Sequence, residues 1–147
     1  MLPRSLFAFA TILLLGTPAA ADEVRMEMRN QSGSERFVYE PDFIRVSPGD
    51  TVVFVPIDKG HNAVSIGGFG TGADQSINVG FNKEVSVTFD KPGIYGVKCT
   101  PHVGLGMVGI IVVGEVEVPE AARASIAKLP PKARQRLELL LGQVGRS

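Results

Sequence analysis

From Glu23 to Asn30 apolar and charged side chains alternate, with Val24, Met26 and Met28 set against Glu23, Arg25, Glu27 and Arg29. A period of two puts the sets on opposite faces, so this stretch is predicted as a half-buried strand with Met26 and Met28 in the core. Gln31-Ser32-Gly33-Ser34 reads as a turn. Phe37-Val38-Tyr39-Glu40-Pro41 and Phe43-Ile44-Arg45-Val46 read as short strands punctuated by proline. The tight turn Ser47-Pro48-Gly49-Asp50 leads into Thr51-Val52-Val53-Phe54-Val55-Pro56, the clearest buried strand so far. Residues 66–80 carry Gly67, Gly68, Gly70, Gly72 and Gly80 and are predicted as an irregular loop around Phe69. Strands resume at Glu84–Phe89, at Ile94–Cys99 after the turn Asp90-Lys91-Pro92-Gly93, and at Met107–Val113. Seven or eight short strands, with turn signals roughly every ten residues, predict an all-β Greek-key sandwich.

Both ends depart from that pattern. Met1 to Ala21 has a short region with Arg4, an apolar run from Leu6 to Leu15 and an Ala-x-Ala site in Thr17-Pro18-Ala19-Ala20-Ala21. It reads as a cleaved secretory leader, since about ten apolar residues are too few for the roughly twenty of a spanning helix. The alternative is an uncleaved N-terminal anchor. Cleavage after Ala21 leaves one domain, residues 22–147, with a helical extension over about 118–144. Pro119 to Ala127 and Pro131 to Leu141 each begin with proline, whose missing N–H costs nothing in a first helical turn. In the second, Ala133, Leu137, Leu140, Leu141 and Val144 form one apolar stripe, expected to cover a face of the sandwich; a partner-binding helix is the other use for it.

Composition changes the picture mainly through what is scarce. Lys and Arg number 15 and so do Asp and Glu; losing Arg4 with the leader tips the balance to one net negative charge. Neither nucleic acid nor, after cleavage, a membrane is an expected partner. The chain has one cysteine and two histidines. Cys99 and His102 fall in Tyr95-Gly96-Val97-Lys98-Cys99-Thr100-Pro101-His102-Val103-Gly104-Leu105-Gly106-Met107, and His61 in Asp58-Lys59-Gly60-His61-Asn62. In an exported protein a lone thiol has no disulfide partner, so occupation by a metal is the expected reason for it. Two imidazoles, a thiolate and a thioether are the donor set of a blue copper centre. Gly104 and Gly106 would let the loop close around an ion, and Pro101 would stiffen it. Other readings use the same residues: a small buried hydrophobe at Cys99, a Cys99 nucleophile activated by His102, a zinc site, or Met107 as core filler.

At Asp58–Asn62, at Val97–His102 with Gly106-Met107, and at Pro48-Gly49-Asp50-Thr51, the chain resembles the cupredoxins, and within them the pseudoazurins. The likeness runs over nearly the whole mature chain, including the two terminal helices. It implies an eight-stranded sandwich, one copper ion per subunit held by His61, Cys99, His102 and Met107, and service as a periplasmic electron carrier rather than an enzyme. It further implies transient complexes with a copper nitrite reductase or a c-type cytochrome; a monomer is expected. By the same resemblance Asn62 ties the ligand loops together and aims its backbone N–H at the Cys99 sulfur, while Asn30 bonds backbone near the site. Phe37 stands where the family often has methionine, Val103 where it often has tyrosine, and Gly67 to Gly80 has no lysine. The apolar Pro101, Val103 and Leu105 around His102 are expected to form a docking patch, with Lys59 and Lys98 steering an acidic partner. The competing function is copper storage or delivery without redox turnover.

Overall fold

The structure, a computed structural model, describes residues 20–69 and 75–145. Apart from Ala20 and Ala21, the predicted leader lies outside the described residues, as does part of the glycine-rich loop. Among the described residues nine strands and two α-helices follow in order: β1 (Glu23–Ser32), β2 (Glu35–Glu40), β3 (Phe43–Val46), β4 (Asp50–Pro56), β5 (Ala63–Ser65), β6 (Asn78–Val79), β7 (Val85–Phe89), β8 (Gly93–Lys98), β9 (Val108–Val113), α1 (Glu120–Ile126) and α2 (Pro131–Leu141). They form a four-stranded sheet, β2-β1-β4-β7, and a five-stranded sheet, β3-β9-β8-β5-β6. This is the expected sandwich with two terminal helices, two strands richer than the seven segments assigned from the sequence. The additions are β5, which had no strand assigned, and β6, inside the stretch read as irregular. The turn after β1 is also tighter, because pairing with β2 runs on to Ser32↔Glu35.

The alternation in β1 does what its period demands. Met26 and Met28 are fully buried between the sheets with Val52 and Phe54 of β4, alongside which β1 runs parallel in the register Met26↔Phe54. The opposite sheet supplies Ile44, Val46, Tyr95, Val97, Ile111 and Val113 to the same core. Strand β9 is buried on both faces, which explains its unbroken apolar sequence. Its Val108, Ile110 and Val112 face outward with Ile94, and the stripe of α2 closes over them through Ala133, Leu137, Leu140, Leu141 and Val144. Phe69 joins this outer cluster by lying against Gly96, where a Cβ would come within 2.7 Å of its ring. Both faces of the central strands are therefore packed, and a rigid pair of sheets holds the loops at one end.

Candidate metal centre

Strand β8 alternates as well: Tyr95 and Val97 point into the inner core, and Cys99 is next in that series. Regular pairing stops at Lys98, one residue before the expected end, but the Cys99 N–H still donates to the Met107 carbonyl at 3.0 Å. The thiol is thus aimed inward by sheet register at the mouth of the β8–β9 connection. Within that connection the His102 N–H donates to the Cys99 carbonyl at 3.2 Å, and the Met107 N–H to the His102 carbonyl at 3.2 Å. A 3-10 turn over Val103–Leu105 closes at Gly106, whose φ of 92° suits a residue without Cβ. The backbone of Met107 is therefore bonded to both Cys99 and His102, and its side chain is fully buried in the same core cluster as Cys99.

His61 arrives from the loop after β4. Asn82 clamps that loop: its Oδ1 accepts from the Gly60 N–H at 2.6 Å, and its N–H donates to the His61 carbonyl at 3.0 Å. His61 Nε2 lies 2.9 Å from Asn30 Oδ1. A carbonyl oxygen only accepts, so Nε2 carries the proton and Nδ1 keeps its lone pair. That corrects the expectation for Asn30, whose side chain orients a ring rather than bonding backbone; its own N–H donates to Asp58 Oδ2 at 2.7 Å.

The two loops meet through Asn62. Its Oδ1 accepts from the Thr100 N–H at 2.8 Å, and its Nδ2 donates to Thr100 Oγ1 at 3.0 Å. Tyr39 holds it from beneath, donating its hydroxyl to the Asn62 carbonyl at 2.7 Å.

Three donor atoms converge as a result. Cys99 Sγ lies 3.8 Å from His61 Nδ1 and 3.5 Å from His102 Nδ1, and the two nitrogens are 3.2 Å apart. A point equidistant from all three lies about 2.0 Å from each, close to the bond length that zinc, a neighbouring divalent ion, makes to imidazole nitrogen. Among the described residues these three form the cluster of histidine, cysteine and carboxylate groups able to hold a metal. Sulfur with imidazole suits copper, and a fully buried thioether beside them is no use to a site of four strong donors such as structural zinc.

Burial disfavours the charged form of each ligand, which frees the imidazoles of their extra proton but holds the proton on the thiol. Burial lowers the pKa of His61, helped by the neighbouring His102 and opposed by Asp58; burial likewise lowers that of His102. Both rings are neutral and able to ligate near pH 7. Burial pushes the Cys99 thiol up, and hydrogen bonds from the backbone of Asn62 and His102 pull it back. Metal binding must therefore expel the thiol proton.

His61, Cys99 and Met107 are buried, whereas His102 is half-buried. Phe37 lies on the His102 ring at 4.3 Å between centroids and 16° between planes, and it takes φ 55°, a region bulky side chains rarely occupy. Pro101 and Leu105 are exposed beside His102. Val103 is not part of that patch: it packs against the outer cluster beneath the helices. Tyr39, Asn82 and Thr100 were missed by the sequence reading.

The family of copper-binding proteins that includes plastocyanin and azurin matches residues 26–114. Pseudoazurin of Paracoccus pantotrophus is 42% identical over 138 residues, covering 93% of this chain and 94% of its own. Pseudoazurin of Methylorubrum extorquens is 39% identical over 149 residues, covering 98% and 99%. The solved structure of a Sinorhizobium pseudoazurin superposes with a TM-score of 0.78 at 39% identity, covering 85% of this chain and 98% of its own.

Proposed function

The chain belongs to the plastocyanin/azurin family of copper-binding proteins, among the pseudoazurins, and on that premise we propose a periplasmic carrier, exported by a leader cut after Ala21, that exchanges single electrons with a copper nitrite reductase or a c-type cytochrome, the reductase being the acceptor tested below. Its family makes it a blue copper electron-transfer protein that serves redox partners; the location, the two partners and a monomeric state belong to the proposal. The convergence of Cys99 Sγ and two Nδ1 atoms around a space of ionic size carries this reading.

In it, His61, Cys99 and His102 would hold one copper ion and Met107, buried in the same cluster as Cys99, would offer a fourth donor. Bound copper provides a one-electron couple between Cu(I) and Cu(II), two states that prefer different geometries. The chain's part is to let neither preference win. Asn30 fixes the His61 ring, the paired hydrogen bonds between Asn62 and Thr100 lock the loops, and sheet register fixes Cys99, so little rearranges at each transfer. Burial of His61, Cys99 and Met107 excludes water and retains the ion, which favours a carrier over a storage or delivery protein.

The half-buried His102 edge is the electron's exit, with exposed Pro101 and Leu105 beside it as the contact surface. A groove of about 700 Å3 continues from there, lined among others by Arg36, Phe37, Leu105, Lys132, Arg136 and Leu139. Arg36 and Lys132, set against Glu35 in the same lining, supply a basic rim suited to steering an acidic partner, which supports the reductase even though Gly67 to Gly80 lacks lysine. Stopped-flow oxidation of the reduced protein by copper nitrite reductase tests this. Leu105→Glu is expected to slow the second-order rate at least about tenfold, and raising salt to slow the unmodified protein. A rate indifferent to both excludes that partner at this surface.

A further inference from the structure

The far ends of β1 and β4, opposite Asn30 and His61, contain a carboxylate that electron transfer does not explain. Asp50 is buried, 8% exposed, and both its oxygens accept backbone hydrogen bonds: Oδ2 from the Ser47 N–H at 2.7 Å, and Oδ1 from the Asp22 N–H at 2.8 Å. The first closes the turn before β4. The second reaches back 28 residues to the position at which the predicted leader ends.

The Asp22 nitrogen is held there firmly. Its own carbonyl accepts from the Thr51 N–H at 2.9 Å, and the parallel register begins immediately after, at Glu23↔Thr51. Asparagine at position 50 would offer one oxygen and turn an amide NH2 towards the other donor; only a carboxylate satisfies both N–H groups. Resting on the reading that cleavage follows Ala21, we propose that Asp50 is the receptor for the α-ammonium group that leader removal creates on Asp22.

Hydrolysis by a signal peptidase gives the hydroxyl of water to the Ala21 carbonyl, which leaves as a carboxylate with the leader. The freed amine on Asp22 is protonated at neutral pH. An amide hydrogen bond to a buried carboxylate becomes an ion pair at the same atoms, without movement of the sheet. Charge-assisted hydrogen bonds are roughly twice as strong as neutral ones, so the domain gains its last increment of stability only once it is processed.

The test uses copper-loaded chains that begin at Asp22 with a free amine, at Asp22 with the amine acetylated, and at Ala20. Each is made with Asp50 and with Asp50→Asn, and each is unfolded in urea. The free-amine chain is expected to have a folding equilibrium constant about five- to tenfold above the other two, the difference disappearing with Asp50→Asn. Its visible spectrum should match theirs, since the metal site is at the other end of the strands. Equal stability of free and acetylated chains, or a difference that survives Asp50→Asn, overturns the pairing. Mass measurement of the exported protein separates this from a failure of the cleavage reading: a first residue other than Asp22 overturns the maturation role whatever the designed chains show.

Discussion

Replacing Asn62 by alanine removes the two side-chain hydrogen bonds that join the loop of His61 to the loop of Cys99, at 2.8 and 3.0 Å to Thr100. Each such bond contributes about 1 kcal/mol net. Thr100 is exposed, so water can reach the freed groups and no further penalty for stranded polar atoms applies. Asn62→Ala should therefore destabilise the metal-free protein by about 2 kcal/mol, near thirtyfold in the folding constant. Thr100→Ala keeps the bond to the Thr100 N–H and should lose about half as much. Because untied loops no longer hold the donors in place, copper affinity should fall about 10- to 100-fold, as it does when other residues that orient metal ligands are removed. Urea unfolding gives the first quantity and competition with a chelator the second. If Asn62→Ala unfolds within about 0.5 kcal/mol of the parent and binds copper equally well, the clasp is not what organises the site.

Asn30→Ala leaves the buried His61 Nε2–H without its acceptor; we expect a loss of about 1–3 kcal/mol and a weaker, less sharply defined copper site, and an unchanged copper spectrum and affinity would refute the orienting role. Leu137→Ala should cost about 2–5 kcal/mol by opening a cavity beneath α2, while leaving the visible spectrum intact, since Leu137 is fully buried in the outer cluster. A shifted spectrum there would mean that the helices tune the metal directly. Metal-free protein should weaken in acid. Burial depresses both histidine pKa values in the folded state, so below about pH 6.5 the unfolded chain binds protons that the folded chain refuses, and stability is lost as pH falls through that point. A urea midpoint that is flat between pH 7.5 and 5 contradicts this.

Long, strongly patterned segments were readable from the sequence because burial on one face imposes a period. The alternation at Val24, Met26 and Met28 and the stripe from Ala133 to Val144 both meet the cores they imply. Strands β5 and β6 were not readable: three and two residues complete no period, and they exist by pairing with β8 and with each other. The segments carrying His61, Cys99 and His102 stood out because those residue types are so scarce in the chain. Their supports did not, for a physical reason. Asn30 and His61 are 31 positions apart, Tyr39 and Asn62 are 23, and Gly60 and Asn82 are 22, so each hydrogen bond exists only after the sheets have brought its partners together. Val103 was misread for a related reason, since an apolar residue beside an exposed ligand looks like docking surface until the helices are seen to cover it.

The most direct measurement is of the colour of the mature protein loaded with Cu(II), before and after Cys99→Ala. Convergence of thiolate sulfur and two imidazole nitrogens predicts an intense blue absorption that bleaches with reductant, returns with oxidant over many cycles, and vanishes in the variant. A pale adduct, or a blue one that survives the loss of Cys99, would contradict it.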